Sequence, residues 1–465
     1  MGVYDEPASR AVARIRRKEV GISVVGLGTV GLTVALHLAH VGFQVRGLDI
    51  SRDRVARIRE GSVRFEFPSM LKEARKTGRL NPTVDPSEAL EKGEVIFVCV
   101  PTSLGPDNAM NTSDLDHACE SIAKNMTKGA LVLVESTVTI GTCRKIAETL
   151  GRISTLKVAV DFGLAHCPER YNPTLPSESL PSVYYGGGTP RAEQDYRMIS
   201  RVIGGIDAKS TKLGGVVYSQ FTRGTITLLS SIEAAEATKL LENTFRDVNI
   251  ALVNEIAQLC ESVGVDIYEV IEAAKTKHFA FLPHYPGPGV GGECIPVVPW
   301  FLIKQAEDHG LSAKLMSAAR EVNDSMPAHL FSILAESLKS AGREAAGARV
   351  TVLGLAYKKN INDVRFSPAL SLLKLLRSQG CEAVACDPVI EPLKQVGFLV
   401  PLKDCFKGSD AVVLVTDHDA FSKIDFRKVR REMRTPIIVD GRHFFDGTQM
   451  RSLGFFYSCV GVPHP

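Results

Sequence analysis

The sequence predicts an α/β protein with two doubly wound parallel-sheet domains joined by a long central helix. Three observations carry that reading. A glycine-rich turn lies between an apolar strand and an amphipathic helix near residue 26, strand and turn signals recur after residue 348, and more than thirty residues between them hold neither glycine nor proline.

From Gly21 the chain reads GISVVGLGTVGLTVALHLAHVGFQVRGLDI: an apolar strand, a glycine turn, a helix and a second strand ending at Asp49. That order is a βαβ unit. Gly26, Gly28 and Gly31 fall at GxGxxG spacing. The first permits the tight turn, the second lets a pyrophosphate approach the backbone, and the third lets helix and strand pack closely. In this context the motif marks a Rossmann-like dinucleotide site. Asp49 would accept hydrogen bonds from the adenosine ribose and repel a 2′-phosphate, favouring NAD over NADP. Arg52 and Arg54 soften that preference, and Arg54 is expected to join the cofactor site. Further strands at GEVIFVCVPT and GALVLVESTV end at Pro101-Thr102 and Ser136-Thr137, small positions that suit a nicotinamide wall at the carboxyl edge of the sheet.

The pattern recurs in ARVTVLGLAY, CEAVACDP, SDAVVLVTDH and TPIIVDGR, with Asp387 and Asp440 at strand ends. The first turn of this half, Gly354-Leu355-Ala356, lacks the third glycine, and Lys358, Lys359, Arg365 and Arg442 gather at strand ends. Those cations suit a phosphorylated ligand other than a second NAD. Between the halves, SSIEAAEATKLLENTFRDVNIALVNEIAQLCESVG should form one helix. Leu241, Phe245, Val248, Leu252, Ile256 and Leu259 make an apolar stripe on it, which suggests helix-to-helix packing, within the chain or across a dimer. Lys239 and Asn243 share another face, one turn apart, and can point into one pocket. The expected division is an NAD-binding Rossmann domain over 1–212, a central helical domain over 213–330 and a second Rossmann-like domain over 331–465.

Composition narrows the partners. Of 465 residues, 45% are hydrophobic and 23% charged, with a formal net charge of +3, so no extended basic surface points to nucleic acid. The charged start MGVYDEPASRAVARIRRKEV lacks the apolar core of a signal peptide, and no apolar run reaches membrane-spanning length. A cytoplasmic protein with no membrane partner is expected. Ten cysteines stand singly, without CxxC pairs or a Cys/His cluster at zinc spacing, so no metal is expected and most should be buried.

Cys294 is the expected exception. It lies in PGPGVGGECIPVVPW, with four glycines and four prolines in fifteen residues. Such a loop lets substrate and nicotinamide come close to a thiol, with backbone N–H groups available to an oxyanion. The chemistry that needs this is two-step oxidation of an alcohol to an acid. The aldehyde has no hydride to lose until a nucleophile adds; a thiolate gives a thiohemiacetal, loss of hydride gives a thioester, and water releases the carboxylate.

The segments VVGLGTVGL, VESTVTIGT, CPERYNP, EAAEATKLLENTFRDVNIALVNE, YPGPGVGGECIP, AYKKNINDVRFSPA and VDGR resemble, in consecutive order, the UDP-glucose/GDP-mannose dehydrogenase family. ENTFRDVNIALVNE and FLPHYPGPGVGGECIP look most like the branch acting on UDP-N-acetylglucosamine or UDP-N-acetylmannosamine. The resemblance implies Cys294 as nucleophile, Glu169 as the carboxylate assisting water, Lys239 and Asn243 as the pair steadying the reacting oxygen, and Thr137 as a hydroxyl positioning a water. It further implies that Lys359 and Arg442 contact UDP and Arg365 the NAD pyrophosphate, with Tyr285 and Gly291 of the glycine loop on the substrate side. The central helix resembles the family's dimer-forming element, so a homodimer acting on a UDP-sugar is expected.

The pattern breaks in three places. Where the family carries an aspartate four residues after the cysteine, this chain has Val298, which can neither orient a water nor assist proton transfer. Glu293 stands where this branch usually has histidine, but neighbouring side chains on an extended loop point apart, so it is not expected to compensate. The segment between Tyr171 and Gly205 also reads as longer than the family's link. Three alternatives follow: a nucleotide-sugar-binding pseudoenzyme, a UDP-glucose 6-dehydrogenase, and a 3-hydroxyacid-type dehydrogenase, which would need neither Cys294 nor the second half.

Overall fold

The computed structural model describes residues 2–63, 67–171, 196–390 and 399–463. Most of the irregular stretch after Tyr171, residues 172–195, lies outside the described residues. Those up to Glu242 form one compact unit and those from Asn243 onward another.

The first unit carries β1 (Ile22–Val25), β2 (Val45–Leu48), β3 (Leu80–Thr83), β4 (Val95–Val98), a small hairpin of β5 (Ser103–Leu104) and β6 (Met110–Asn111), then β7 (Leu131–Val134), β8 (Gly163–His166), β9 (Arg201–Gly205) and β10 (Ile226–Leu228). Its main sheet runs in the order β10-β9-β8-β7-β4-β1-β2-β3. Every pairing in it is parallel except β8 with β9. Strands β1, β4, β7 and β8 are buried at every position. That is why β4 (VIFV) and β7 (LVLV) read as unbroken apolar runs, since a parallel sheet covered on both faces has no wet side. The order reverses between β1 and β4, so the topological switch point lies at the turn after β1, where ligands of such sheets bind.

The second unit holds β11 (Arg349–Leu353), β12 (Glu382–Cys386), β13 (Ala411–Leu414), β14 (Ile437–Asp440) and β15 (Phe456–Cys459), all parallel in the order β12-β11-β13-β14-β15. It is a second doubly wound sheet, with its own switch point between β11 and β13.

The expected central helix runs over Ile232–Val263, 32 residues, and the division between units falls within it. Its apolar stripe is not core: Leu241, Phe245, Leu252, Ile256 and Leu259 are exposed, while Asp247, Ala251, Asn254 and Ala257 are buried. No helix among the described residues is long and apolar enough to cross a membrane.

In the second unit the acid after the second strand is consumed internally. Asp387 Oδ2 accepts from the N–H groups of Leu355 and Ala356 at 2.7 and 2.9 Å and pairs with His418 Nε2 at 3.0 Å. Burial opposes the Asp387 charge, yet the His418 contact and the turn N–H groups outweigh it and hold the carboxyl at about 2. A depressed carboxyl contributes stability above its unfolded value, near 4, and loses it as pH falls from there to about 2. Asp387→Asn should therefore cost the second unit on the order of 2 kcal/mol at pH 7, the gap to wild type closing toward pH 2 in a denaturant titration.

Candidate active site

The glycine turn after β1 has the geometry of a dinucleotide cradle. Gly26 has φ of +88°, and a Cβ there would meet the Cys99 carbonyl oxygen at 2.8 Å; a Cβ on Gly31 would meet the Gly26 carbonyl oxygen at 1.8 Å. Gly28, at the N-cap of the helix Thr29–His40, has no atom within 4 Å of that position. Two glycines are thus required by packing and the third leaves open space at a helix N-terminus, where pyrophosphate binds. Asp49 Oδ2 accepts from Leu27 N–H at 2.9 Å and its Oδ1 from Ser51 N–H at 2.8 Å, which fixes the carboxylate beside the turn with lone pairs left for ribose hydroxyls. Arg54 Nη1 donates to the Leu27 carbonyl at 3.2 Å and lies along the same turn. NAD fits these residues.

At the carboxyl edge of the same sheet, the Thr102 hydroxyl donates to the Thr137 carbonyl at 2.6 Å, and Ser136 Oγ to that of Val100 at 2.6 Å. Glu236 of the central helix accepts from Gly141 and Cys143 N–H groups at 2.6 and 2.7 Å. It thereby ties the loop after Thr137 to the helix carrying Lys239, three residues on. Lys239 also acts on His166, whose imidazolium is pushed down to about 4 first by burial and further by that charge, so His166 is a neutral acceptor and donor at neutral pH. Asn243 follows one turn later, 6% exposed, with its amide nitrogen buried and unpaired among the described residues. Glu169 is 7% exposed and bonded to Arg201 Nη1 through both oxygens at 3.2 Å.

The second unit carries the thiol. Nine of the ten cysteines are buried and Cys294 is exposed. Its loop packs on the segment that follows β11: Gly292 N–H donates to the Arg365 carbonyl at 2.9 Å, and a Cβ on Gly291 would meet Tyr357 Cβ at 2.6 Å and the Phe366 carbonyl at 2.8 Å. Gly291 is therefore a packing requirement of the loop. Burial first, then the charges of Asp363 and Cys294, push the Tyr357 phenol up to about 12, leaving a neutral hydroxyl near the sulfur. The Cys294 carbonyl accepts from Val298 N–H at 2.9 Å. Val298 opens the helix Val298–Asp308, 2% exposed, and no side chain caps that helix. Glu293 turns away to form an ion pair with Arg365, which also binds Asp363.

Behind the loop runs a buried relay that the sequence reading missed. Gly287 N–H donates to Asn254 Oδ1 at 2.9 Å, Asn254 Nδ2 to Asn323 Oδ1 at 2.9 Å, Asn323 Nδ2 to Asp247 Oδ1 at 2.8 Å, and Arg320 Nη1 to Asp247 Oδ1 at 2.6 Å. Asp247 and Asn254, two helical turns apart on the side opposite the apolar stripe, were the signal that could have found it.

The cations at the second sheet's strand ends are placed by local partners. Lys359 pairs with Asp419 at 2.5 Å, Arg442 Nε donates to the Val415 carbonyl at 3.0 Å, and a Cβ on Gly287 would meet Arg442 Nη1 at 2.8 Å. Tyr285 donates to Glu272 Oε1 at 2.7 Å and receives Lys275 Nζ at 3.2 Å.

An open GxGxxG turn with an acid fixed beside it marks an NAD-dependent dehydrogenase, and the second nucleotide-type sheet beneath a thiol loop narrows the class. The chain matches the NAD binding domain of the UDP-glucose/GDP-mannose dehydrogenase family over residues 20–182, its central domain over 233–325 and its UDP binding domain over 351–447. It belongs to that family and is a nucleotide-sugar dehydrogenase. It is 37% identical over 444 residues to the UDP-N-acetyl-D-mannosamine dehydrogenase of Pyrococcus horikoshii, covering 95% of this chain and 99% of that protein. Among solved structures, the UDP-D-ManNAc dehydrogenase from Pyrococcus horikoshii superposes with a TM-score of 0.85 at 35% identity, over 95% of this chain and 99% of that one. An NDP-N-acetyl-D-galactosaminuronic acid dehydrogenase from Methanosarcina mazei gives 0.80 at 27%, over 97% and 98%.

Asn254→Leu leaves the buried Gly287 N–H and the Asn323 amide oxygen without their partners. It should cost on the order of 3 kcal/mol in a thermal or denaturant melt. Turnover should fall at least tenfold while NAD affinity, measured by calorimetry, stays within a factor of two.

Proposed function

We propose that the chain oxidises the C6 hydroxyl of a UDP-N-acetylhexosamine to the uronic acid with two NAD, through covalent intermediates on Cys294. The observation that carries this reading is the placement of its single exposed cysteine on a glycine loop beside the strand ends of the UDP binding domain. UDP-N-acetylmannosamine is the first candidate, because relatives covering nearly the whole chain bear that substrate in their names; UDP-N-acetylglucosamine is the second.

Gly26, Gly28, Gly31, Asp49, Arg54 and Thr102 hold the dinucleotide, which when bound supplies the hydride acceptor for both oxidations. Lys359, Arg442, Tyr285 and Gly291 are assigned to the UDP-sugar, and Arg365 to the pyrophosphate of NAD, a role in which its guanidinium competes with Asp363 and Glu293. Lys239 and Asn243 stabilise charge on the reacting C6 oxygen. The Cys294 sulfur adds to the aldehyde carbon, and the thiohemiacetal becomes a thioester on loss of its hydride. Glu169 takes a proton from the water that attacks the thioester, Thr137 holds that water, and the thiol leaves as the carboxylate forms. The functional division proposed is 1–212, 213–330 and 331–465. The exposed stripe of the central helix, from Leu241 to Leu259, is assigned to a homodimer.

Val298 favours a slower enzyme, since no carboxylate stands at the start of the helix after the thiol. A second reading, a nucleotide-sugar-binding protein without turnover, rests on the same residue. An NADH-coupled panel of UDP-glucose and the UDP-N-acetyl derivatives of glucosamine, mannosamine and galactosamine decides between them. The proposal expects two NADH per sugar consumed with an N-acetylhexosamine; saturable binding without NADH would reject it. Cys294→Ser should keep NAD binding and make no acid by mass spectrometry, and Val298→Asp should raise turnover at least tenfold.

A further inference from the structure

The first unit buries two carboxylates on one cation. Beyond β7 and β8 the backbone ladder continues, with Cys167 N–H on the Val134 carbonyl at 3.0 Å and Glu169 N–H on the Glu135 carbonyl at 3.4 Å, which brings the two glutamates to adjacent strand ends. Glu135 is 1% exposed. Its Oε1 accepts from the Tyr218 hydroxyl at 2.6 Å, and its Oε2 is buried with no partner among the described residues. Arg201, 0% exposed, gives Nη1 to both oxygens of Glu169 and nothing to Glu135; its guanidinium carbon lies over the Tyr196 ring at 4.5 Å and the Tyr218 ring at 5.9 Å.

The charge count does not balance with both glutamates ionised. Among the described residues, the groups facing Glu135 are Arg201 from β9, Glu169 and Cys167 from the end of β8, Tyr218 from the helix Ala208–Tyr218, Tyr196 from the turn before β9 and Cys99 after β4. Burial raises both thiols and both phenols, so all four are neutral. Among the described residues one positive charge remains for two carboxylates, and an uncompensated buried anion is costly enough that such a pair retains a proton. We propose that Glu135 carries that proton, donates it from Oε2 to Glu169, and so serves as the positioning residue that keeps Glu169 singly charged and oriented as the base for thioester hydrolysis. Burial first, then the charge of Glu169, lifts the Glu135 carboxyl to about 8. The inference rests on the assignment of Glu169 as the base.

The state is limited in pH. A raised carboxyl contributes its stability fully below the unfolded value, near 4.5, and loses it as pH rises toward 8. Above that, Glu135 and Glu169 repel, the hydrogen bond between them is gone, and acid formation falls. Glu135→Gln keeps the shape and an N–H donor but holds no titratable proton. Tyr218→Phe removes the bond that favours the Glu135 anion and should move the alkaline break to higher pH.

Infrared difference spectra and kcat for acid formation, both from pH 6 to 10, test this in the full-length protein. We expect the carbonyl stretch of a protonated carboxylic acid in wild type at pH 7, fading as kcat falls above pH 8. In Glu135→Gln that band should be absent, kcat several-fold lower, and the alkaline fall missing. An unchanged acid band in Glu135→Gln overturns the proposal, as does loss of the band with a wild-type pH profile, or a break in Tyr218→Phe that stays or moves down. Failure of the underlying assignment reads differently: Glu169→Gln would then hydrolyse the thioester at the wild-type rate.

Discussion

The Cys294 loop is anchored at its start by a buried hydrogen bond, from the Gly287 N–H to Asn254. A stretch with four glycines and four prolines has few backbone donors and little side-chain surface before Cys294, so that part is held from outside. Its position is imposed through Asn254, Asn323 and Asp247, with Arg320 neutralising the buried acid. Each member leaves a stranded polar group if removed, so the relay is held in one arrangement. That is what a reactive thiol needs when it has to meet a carbon atom within a fraction of an ångström.

The two units treat their buried acids differently, and chemistry explains the contrast. Asp387 is surrounded by donors, N–H groups of the turn and His418, and is ionised well below neutrality. It fills the place that Asp49 takes in the first unit, yet spends its lone pairs on its own turn, so the second sheet has no free acid for a ribose. Glu135 has one hydroxyl donor and an orphan oxygen, and its environment favours the acid form. The same side-chain class is structural in one sheet and proton-holding in the other.

Much of this was legible in the sequence. The strands VIFV and LVLV, the GxGxxG turn with Asp49, the central helix and the family resemblance all rest on local patterns, and local patterns survive in one dimension. The hydrophobic stripe was read correctly as apolar but its exposure could not be, since burial depends on what covers a face. Arg201 and Glu135 lie 66 positions apart, and nothing local in the sequence pairs them; only sheet order, with β9 running antiparallel beside β8, brings them together. The relay behind Cys294 was hidden for the same reason: Asn254 lies within ENTFRDVNIALVNE, but its partner Asn323 is 69 positions away and nothing local in the sequence pairs them.

Covalent capture at the thiol tests the account most directly. The protein would be mixed with excess NAD and isotope-labelled UDP-N-acetylmannosamine, quenched in acid within one turnover, digested and mapped by mass spectrometry. The account predicts labelled sugar attached to the peptide containing Cys294 and to no other cysteine peptide. Labelled uronic acid produced at full yield with that peptide unmodified throughout the turnover would contradict it.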